Sequence, residues 1–270
     1  MSEQPTIMAV YAHPDDEVFS AGGTLAKYAR TCRVVLVSAT RGELGEIRVP
    51  GSATPETLAE VREGELRESA RILGIHEVRF LDYRDSGMAG TPGNQDARAL
   101  VQADRAEAAG RLVALFRELR PRAVLTFEQT GGYGHPDHIT VHELTTAAFD
   151  AAGADLRAAR LFYSGFPRGM MRAFQEEARA AGVDLGGLGE LDIERFGLPD
   201  DAVDAVIDVR DFIEQKLAAF QAHQTQFGDN EMMRTLPPEL GRRLLEQEYY
   251  QQARGAPLPG PKPAHDLLAE

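Results

Sequence analysis

The stretch TIMAVYAHPDDEVFSAGG, Thr6 to Gly23, decides the fold. Its first seven residues are almost uniformly apolar, which suits a strand buried on both faces rather than one with a wet side. From Glu17 to Arg30 the pattern is helical, so a strand runs directly into a helix. At the junction, one imidazole and three carboxylates fall within five residues: His13, Asp15, Asp16 and Glu17.

The alternation continues along the chain. Apolar runs at Arg33 to Ala39, Val78 to Leu81, Arg122 to Glu128, Ala159 to Ser164 and Ala205 to Val209 read as further strands. Helical stretches at Pro55 to Leu73, Asp96 to Leu119 and His138 to Ala151 lie between them. A βαβα order implies an α/β fold, a doubly wound, Rossmann-like, mostly parallel sheet with helices on both faces. Residues 1–165 are expected to form the catalytic core. Residues 166–270 are expected to pack on it as part of the same unit, an extension over the active-site edge that completes the pocket. In that extension, Asp211 to Gln226 and Pro238 to Gln251 read as helices, and Gly255 to His265 as an irregular Pro- and Gly-rich tail.

Composition narrows the partners. With 29 basic and 42 acidic residues the 270-residue chain carries a net charge of −13. A phosphate backbone or an anionic membrane has to be met by Lys and Arg, so neither partner is expected, and a small molecule is. No apolar run approaches the roughly 20 residues of a membrane helix. The beginning of the chain has no basic, long-apolar leader pattern, which reads as cytoplasmic. The single cysteine, Cys32, fits a reducing compartment and reads as a thiol packed at a strand edge. Self-association is left open.

On an open parallel sheet, ligands bind beyond the carboxyl ends of the strands. The strand from Thr6 leads into His13, and the strand from Arg122 leads into QTGGYGHPDHITVH, so two loops on one edge both carry His and Asp. His13 and Asp16 are three apart and can face one side of a turn; Pro136 suits a first helical turn, so His135 and His138 project together. His, His and carboxylate around an ion with a place left for water is the composition of a catalytic zinc site. A site of His13, Asp16 and His138 is geometrically reasonable, with Asp15 pointing elsewhere and able to reach the water position. Iron or another divalent metal would accept the same donors. The competing reading makes PDDE a helix start whose carboxylates merely favour the dipole. GGYG lacks the residues of a phosphate-binding loop, and HITVH lacks the metalloprotease glutamate, which leaves His142 as a core or supporting histidine. AGGT after the first motif reads as close helix-to-sheet packing.

AHPDDE (Ala12 to Glu17) with HPDH (His135 to His138) resembles the zinc-dependent N-deacetylases of the PIG-L or LmbE-like family. TRGELGE (Thr40 to Glu46), VREGEL (Val61 to Leu66), YRDSGMAGT (Tyr83 to Thr91), GGYGHPDH (Gly131 to His138) and AHQTQ (Ala222 to Gln226) resemble the branch acting on N-acetylglucosaminyl-inositol or the malate conjugate in low-molecular-weight thiol biosynthesis. The resemblance implies His13, Asp16 and His138 as metal ligands and Asp15 as general base. It implies a protonated His135 opposite the developing oxyanion, oriented by Asp137, and Tyr133 assisting the oxyanion or the amine. It further implies Arg62 and Asp85 as sugar contacts, with Glu46 and His223 bordering the pocket. From the residues alone, Tyr133 also reads as a surface side chain, Arg62 as a surface ion pair and His223 as a helix-face histidine, while Glu43, the alternative to Glu46 at the pocket border, reads as a solvated loop residue. The implied activity is removal of acetyl from an N-acetylglucosaminyl glycoside. A thiol S-conjugate amidase of the same fold and a binding module without turnover are the competing readings.

Overall fold

The structure, a computed structural model, describes residues 4–156, 158–185, 187–228 and 238–270. Seven strands form one sheet: β1 (Thr6–Tyr11), β2 (Arg33–Ser38), β3 (Glu77–Phe80), β4 (Ala123–Phe127), β5 (Arg160–Ser164), β6 (Ala205–Asp208) and β7 (Gln247–Arg254). The helices are α1 (Asp16–Ala29), α2 (Leu58–Leu73), α3 (Arg105–Leu119), the one-turn α4 (Gly131–Gly134), α5 (Pro136–Ala152), α6 (Arg168–Ala180), α7 (Gly187–Glu190), α8 (Ile213–Ala222), α9 (Gln224–Phe227) and α10 (Pro238–Leu245).

Strand order is β3-β2-β1-β4-β5-β7-β6, with β1 to β5 mutually parallel and β7 antiparallel to both β5 and β6. This is the expected doubly wound, mostly parallel architecture. Strands β1 and β4 are buried along their whole length, as their largely apolar runs require. The edge strand β3 is half-buried and carries Glu77 and Arg79, charges that discourage edge-to-edge pairing. Helices α1, α2 and α8 pack against one another, and α3 packs against α5. One hydrophobic core runs from Ile7 to Leu267, and a smaller cluster of Met171, Phe174, Leu185, Ile193 and Leu244 lies beside it.

Three local expectations are corrected, and the first is Asp211 to Gln226, which divides at His223 into α8 and α9. Asp96 to Leu119 is not one helix: a 3-10 turn at Leu100–Gln102 precedes α3, which starts at Arg105 because the Asp104 side chain caps it, accepting from Glu107 N at 2.9 Å. Pro238 to Gln251 is not one helix either. The helix stops at Leu245 and Gln247–Arg254 enters the sheet between β5 and β6, so the C-terminal part shares the core's sheet.

Strand β1 and strand β4 are neighbours, yet the chain leaves β1 toward β2 and reaches β4 only after β3. That reversal opens a crevice at their carboxyl ends, between the first and second His/Asp loops. Helix α1 lies close against the sheet. A Cβ on Gly23 would sit 2.6 Å from Val209 Cβ, just past the end of β6, so glycine is what permits this close approach. A buried ion pair anchors the same helix: Lys216 Nζ donates to Glu248 Oε1 at 2.6 Å, and Glu248 also accepts from Gly23 N and Thr24 N.

Candidate metal centre

Strand β1 ends at Tyr11 and the chain turns through His13 and Pro14 into α1. His13 N donates to Asp16 Oδ2 at 2.7 Å, which ties the loop to the first helical residue. Asp15 stands at the helix N-cap with φ 115° and ψ −25°, and its side chain makes no capping bond. A non-glycine residue held there costs on the order of 1–3 kcal/mol. Its N–H donates to Glu17 Oε2 at 2.9 Å. A bond to a charged acceptor contributes about 1.5–3 kcal/mol, the size needed to offset that strain. The freed Asp15 carboxylate accepts from Arg62 Nη2 at 3.1 Å.

The second loop follows β4. Gly131 has φ 65°, and a Cβ there would lie 2.5 Å from His138 Cβ, so glycine is what admits the His138 ring. His138 stacks on Phe127 with centroids 4.1 Å apart and planes 11° apart. Its Nδ1 faces the Gly131 carbonyl oxygen at 3.0 Å. A carbonyl only accepts, so Nδ1 carries the proton and Nε2 of the neutral ring offers a lone pair. The same reasoning applies to His13, whose Nε2 donates to Asp137 Oδ2 at 3.2 Å, leaving Nδ1 as the acceptor.

The two lone pairs converge. His13 Nδ1 lies 3.2 Å from His138 Nε2 and 3.5 Å from Asp16 Oδ2, while His138 Nε2 lies 3.2 Å from Asp16 Oδ1. Electron-rich atoms packed this tightly in a buried site need a proton or a cation among them. Electrostatics point the same way: burial opposes a charge on His13, but Asp85, Asp137 and Asp16 outweigh it and raise its pKa well above the usual histidine value. Burial pushes Asp16 upward, and His138 and His13 outweigh that, holding its carboxyl well below the ordinary range. Two nitrogens and a carboxylate, with ring tautomers set by Asp137 and a backbone carbonyl, fit a divalent ion. Two other groups of donors also lie within 4.8 Å of one another: His13, His135 and His138, and His13, Asp85 and Asp137.

Asp15 differs from its neighbour. Burial raises its pKa to about 6, with Arg62 opposing the rise and Asp16 adding to it. A carboxylate poised there can take a proton and return it close to neutral pH.

The expected protonated His135 oriented by Asp137 is corrected. Burial lowers the His135 pKa to about 3, His13 and His138 lower it further, and Asp137 does not compensate. The Asp137 carboxylate turns instead to His13 and to Ser86 N, the latter at 2.9 Å. It is the Asp137 backbone N–H that donates to His135 Nδ1, at 3.1 Å, leaving the proton of a neutral ring on Nε2.

His13, Asp15, Asp16, Asp85, His135, Asp137 and His138 are thus gathered at the crevice. Asp85 lies 3.6 Å from His13 Nε2 and accepts from Leu44 N and Gly87 N. Arg62 is buried rather than at the surface; it donates to Gly42 O and Pro14 O besides Asp15, and only its Nε lacks a partner among the described residues. Tyr133 is half-exposed, its ring edge-on to His138 at 5.0 Å. Glu46 is exposed and pairs with Arg48 at 3.6 Å. His223 lies beneath the site, fully buried, its Nε2 2.7 Å from Glu17 Oε1. His142 donates to Phe127 O at 2.9 Å, a supporting contact. Sequence reasoning missed Glu17, Ser69 and Ser86, whose contacts come from distant elements; the only local signal was the carboxylate of Glu17 inside the motif.

A cavity of about 1170 Å³ opens from Asp15, Asp16, Tyr133 and His138. Its far wall is apolar and is built by Phe19 with Phe166, Met171, Phe174 and Ile193. No helix among the described residues is long and apolar enough to cross a membrane.

Fold and site together define a doubly wound α/β protein with a buried His/Asp centre suited to a divalent cation. Residues 8–149 match the PIG-L family model, GlcNAc-PI de-N-acetylase, and the chain belongs to that family. It is 39% identical over 277 residues to the 1D-myo-inositol 2-acetamido-2-deoxy-alpha-D-glucopyranoside deacetylase of Acidothermus cellulolyticus, covering 98% of this chain and 94% of that one. The N,N'-diacetylchitobiose deacetylase of Pyrococcus horikoshii shares the fold, with TM-score 0.62, 20% identity and coverage of 92% and 83%. GalB, the 4-carboxy-2-hydroxymuconate hydratase of Pseudomonas putida, shares it equally, with TM-score 0.61, 19% identity and coverage of 95% and 99%. A deacetylase and a hydratase on one fold mean that the reaction is set by the site rather than by the architecture.

Proposed function

We propose that this chain is a metal-dependent N-deacetylase that hydrolyses the acetamide of an N-acetylglucosaminyl glycoside in low-molecular-weight thiol biosynthesis in the cytoplasm. The observation that carries the reading is the convergence of His13 Nδ1, His138 Nε2 and the Asp16 carboxylate beside an Asp15 free of helix-capping duty. The near full-length relative supports GlcNAc-inositol as the first substrate to test, with GlcNAc-malate second.

His13, Asp16 and His138 would hold the ion, with zinc the first candidate. Bound there, a divalent ion supplies Lewis-acid polarisation of an amide carbonyl and lowers the pKa of a water. Asp15 accepts the proton of the attacking water and returns it to the departing amine. Neutral His135 offers its Nε2 proton to the developing oxyanion, and the Tyr133 hydroxyl on the cavity wall is a second donor. Asp137 and Asp85 keep the His13 ring in its tautomer and orientation. Arg62, with its guanidinium committed to Asp15 and two carbonyls, acts on the base rather than on the sugar. Arg48 on the cavity wall, with Glu46 beside it, is the charged pair available to sugar hydroxyls. Residues 166–270 contribute the far wall of the cavity and strand β7, which supports one structural unit rather than two.

The apolar far wall favours a second reading, an amidase that accepts a thiol S-conjugate carrying an apolar group. Acetate release from GlcNAc-inositol, GlcNAc-malate and free GlcNAc, measured beside cleavage of an S-conjugate amide with metal content determined on the same sample, separates the two. Inertness of the metal-loaded protein toward every acetylated amino sugar would reject the deacetylase.

A further inference from the structure

Glu17 has no part in the chemistry above, yet it is fully buried and engaged on three sides. Oε1 accepts from Ser69 Oγ at 2.6 Å and lies 2.7 Å from His223 Nε2, and Oε2 accepts from Asp15 N at 2.9 Å. A carboxylate that merely complements the helix dipole does so from the surface, without the cost of losing its water. The burial of Glu17 therefore calls for another reason.

An aspartate at an N-cap ordinarily turns its carboxylate onto the helix N–H groups. Asp15 does not, and its backbone sits in the left-handed region at φ 115°. The bond from Asp15 N to Glu17 is what compensates that conformation. We propose that Glu17 is the positioning residue for Asp15. By holding the Asp15 N–H it keeps the backbone turned so that the Asp15 carboxylate meets Arg62 at the wall of the cavity that Asp16 and His138 also line. Ser69 from α2 and His223 from the end of α8 fix Glu17 in turn, so the base takes its place from two further helices. The inference rests on Asp15 being the proton acceptor of the proposed deacetylation.

The test is Glu17→Gln, alone and combined with Asp15→Asn, with Ser69→Ala as a milder variant outside the cavity. A glutamine has one carbonyl oxygen, which cannot accept from Asp15 N and from the Ser69 and His223 pair together. Glu17→Gln should lower kcat roughly 10²-fold, the loss typical of a catalytic group misplaced by about 1 Å, with KM and bound metal unchanged. In the Asp15→Asn background it should cost no more than about twofold further, because residues acting through one another are not additive. An unchanged kcat, an equal loss in both backgrounds, or a loss of metal that tracks the loss of kcat would overturn the assignment. Ser69→Ala should give the same split between kcat and KM at smaller size, and its pattern decides the matter if Glu17→Gln fails to fold. A crystal structure of the Glu17→Gln protein is the readout independent of turnover. Asp15 relaxing to negative φ and releasing Arg62 is expected, and an unmoved Asp15 overturns the proposal. If the unaltered protein turns over no acetamido sugar, the functional reading falls, while this structure still decides the role of Glu17.

Discussion

Arg62 Nη2 lies 3.1 Å from Asp15 Oδ2, joining the second turn of α2 to the N-cap of α1 across 47 residues of sequence. The guanidinium side chain is only 4% exposed, so it is a buried countercharge rather than a surface partner. Its fork also spans Pro14 O and Gly42 O, which a lysine's single ammonium cannot reproduce. Arg62→Lys should therefore lower kcat by about tenfold or more while leaving bound metal unchanged, since misplaced catalytic groups cost up to roughly 10²-fold. Steady-state kinetics with metal analysis on one preparation checks it, and a change confined to KM would instead make Arg62 a sugar contact.

Asp15 and Asp16 are adjacent but face different partners, Arg62 and the two histidines. Asp15→Asn should retain metal and lose about 10²- to 10⁴-fold in turnover, the usual contribution of a general base. Asp16→Asn should lose metal as well. Metal stoichiometry after gel filtration distinguishes them, and equal losses in both variants would remove the division of labour.

Asp137 sets the His13 tautomer, with Ser86 N at 2.9 Å holding the carboxylate in place. Asp137→Ala should weaken metal affinity about 10- to 100-fold, as loss of a histidine's supporting partner typically does. Competition with a chelator of known affinity measures it. Unaltered affinity would mean that the Gly131 carbonyl and the packing of the rings suffice.

Lys216 and Glu248 form an ion pair whose side chains are 1% and 2% exposed, and neither contacts His13, Asp16 or His138 among the contacts described. Lys216→Met leaves a buried carboxylate with only its neutral donors, which should destabilise the fold by about 3–5 kcal/mol. Urea denaturation measures the loss. The metal content of the folded variant should be unchanged, and a stability within 1 kcal/mol, on the order of a surface substitution, would contradict the role assigned to the pair.

Much of the fold is legible because its signals are local. The runs at Thr6, Arg33 and Arg122 are mostly apolar, as strands buried on both faces require, and all three appear within a residue of the expected limits. The start of α3 carries a local signal too, Asp104 as a cap with Glu107 three residues on. Strand β7 was not. Gln247–Arg254 is polar over most of its length, and its identity as a strand comes from pairing with Ser164 on one side and Ala205 on the other, residues far away in sequence.

By itself the sequence determined that His and Asp would crowd two loops at one edge of a parallel sheet, because strand periodicity and motif spacing are properties of neighbouring residues. Tertiary structure alone decided which atoms of those residues meet. The direction of each imidazole lone pair depends on Asp137 and the Gly131 carbonyl, and the aim of Asp15 depends on Arg62 and on Glu17 with Ser69 and His223 behind it. Several of these partners lie far away along the chain: Arg62 is 47 positions from Asp15, Asp137 is 124 from His13, and Ser69 and His223 are 52 and 206 from Glu17. No window along the chain contains them.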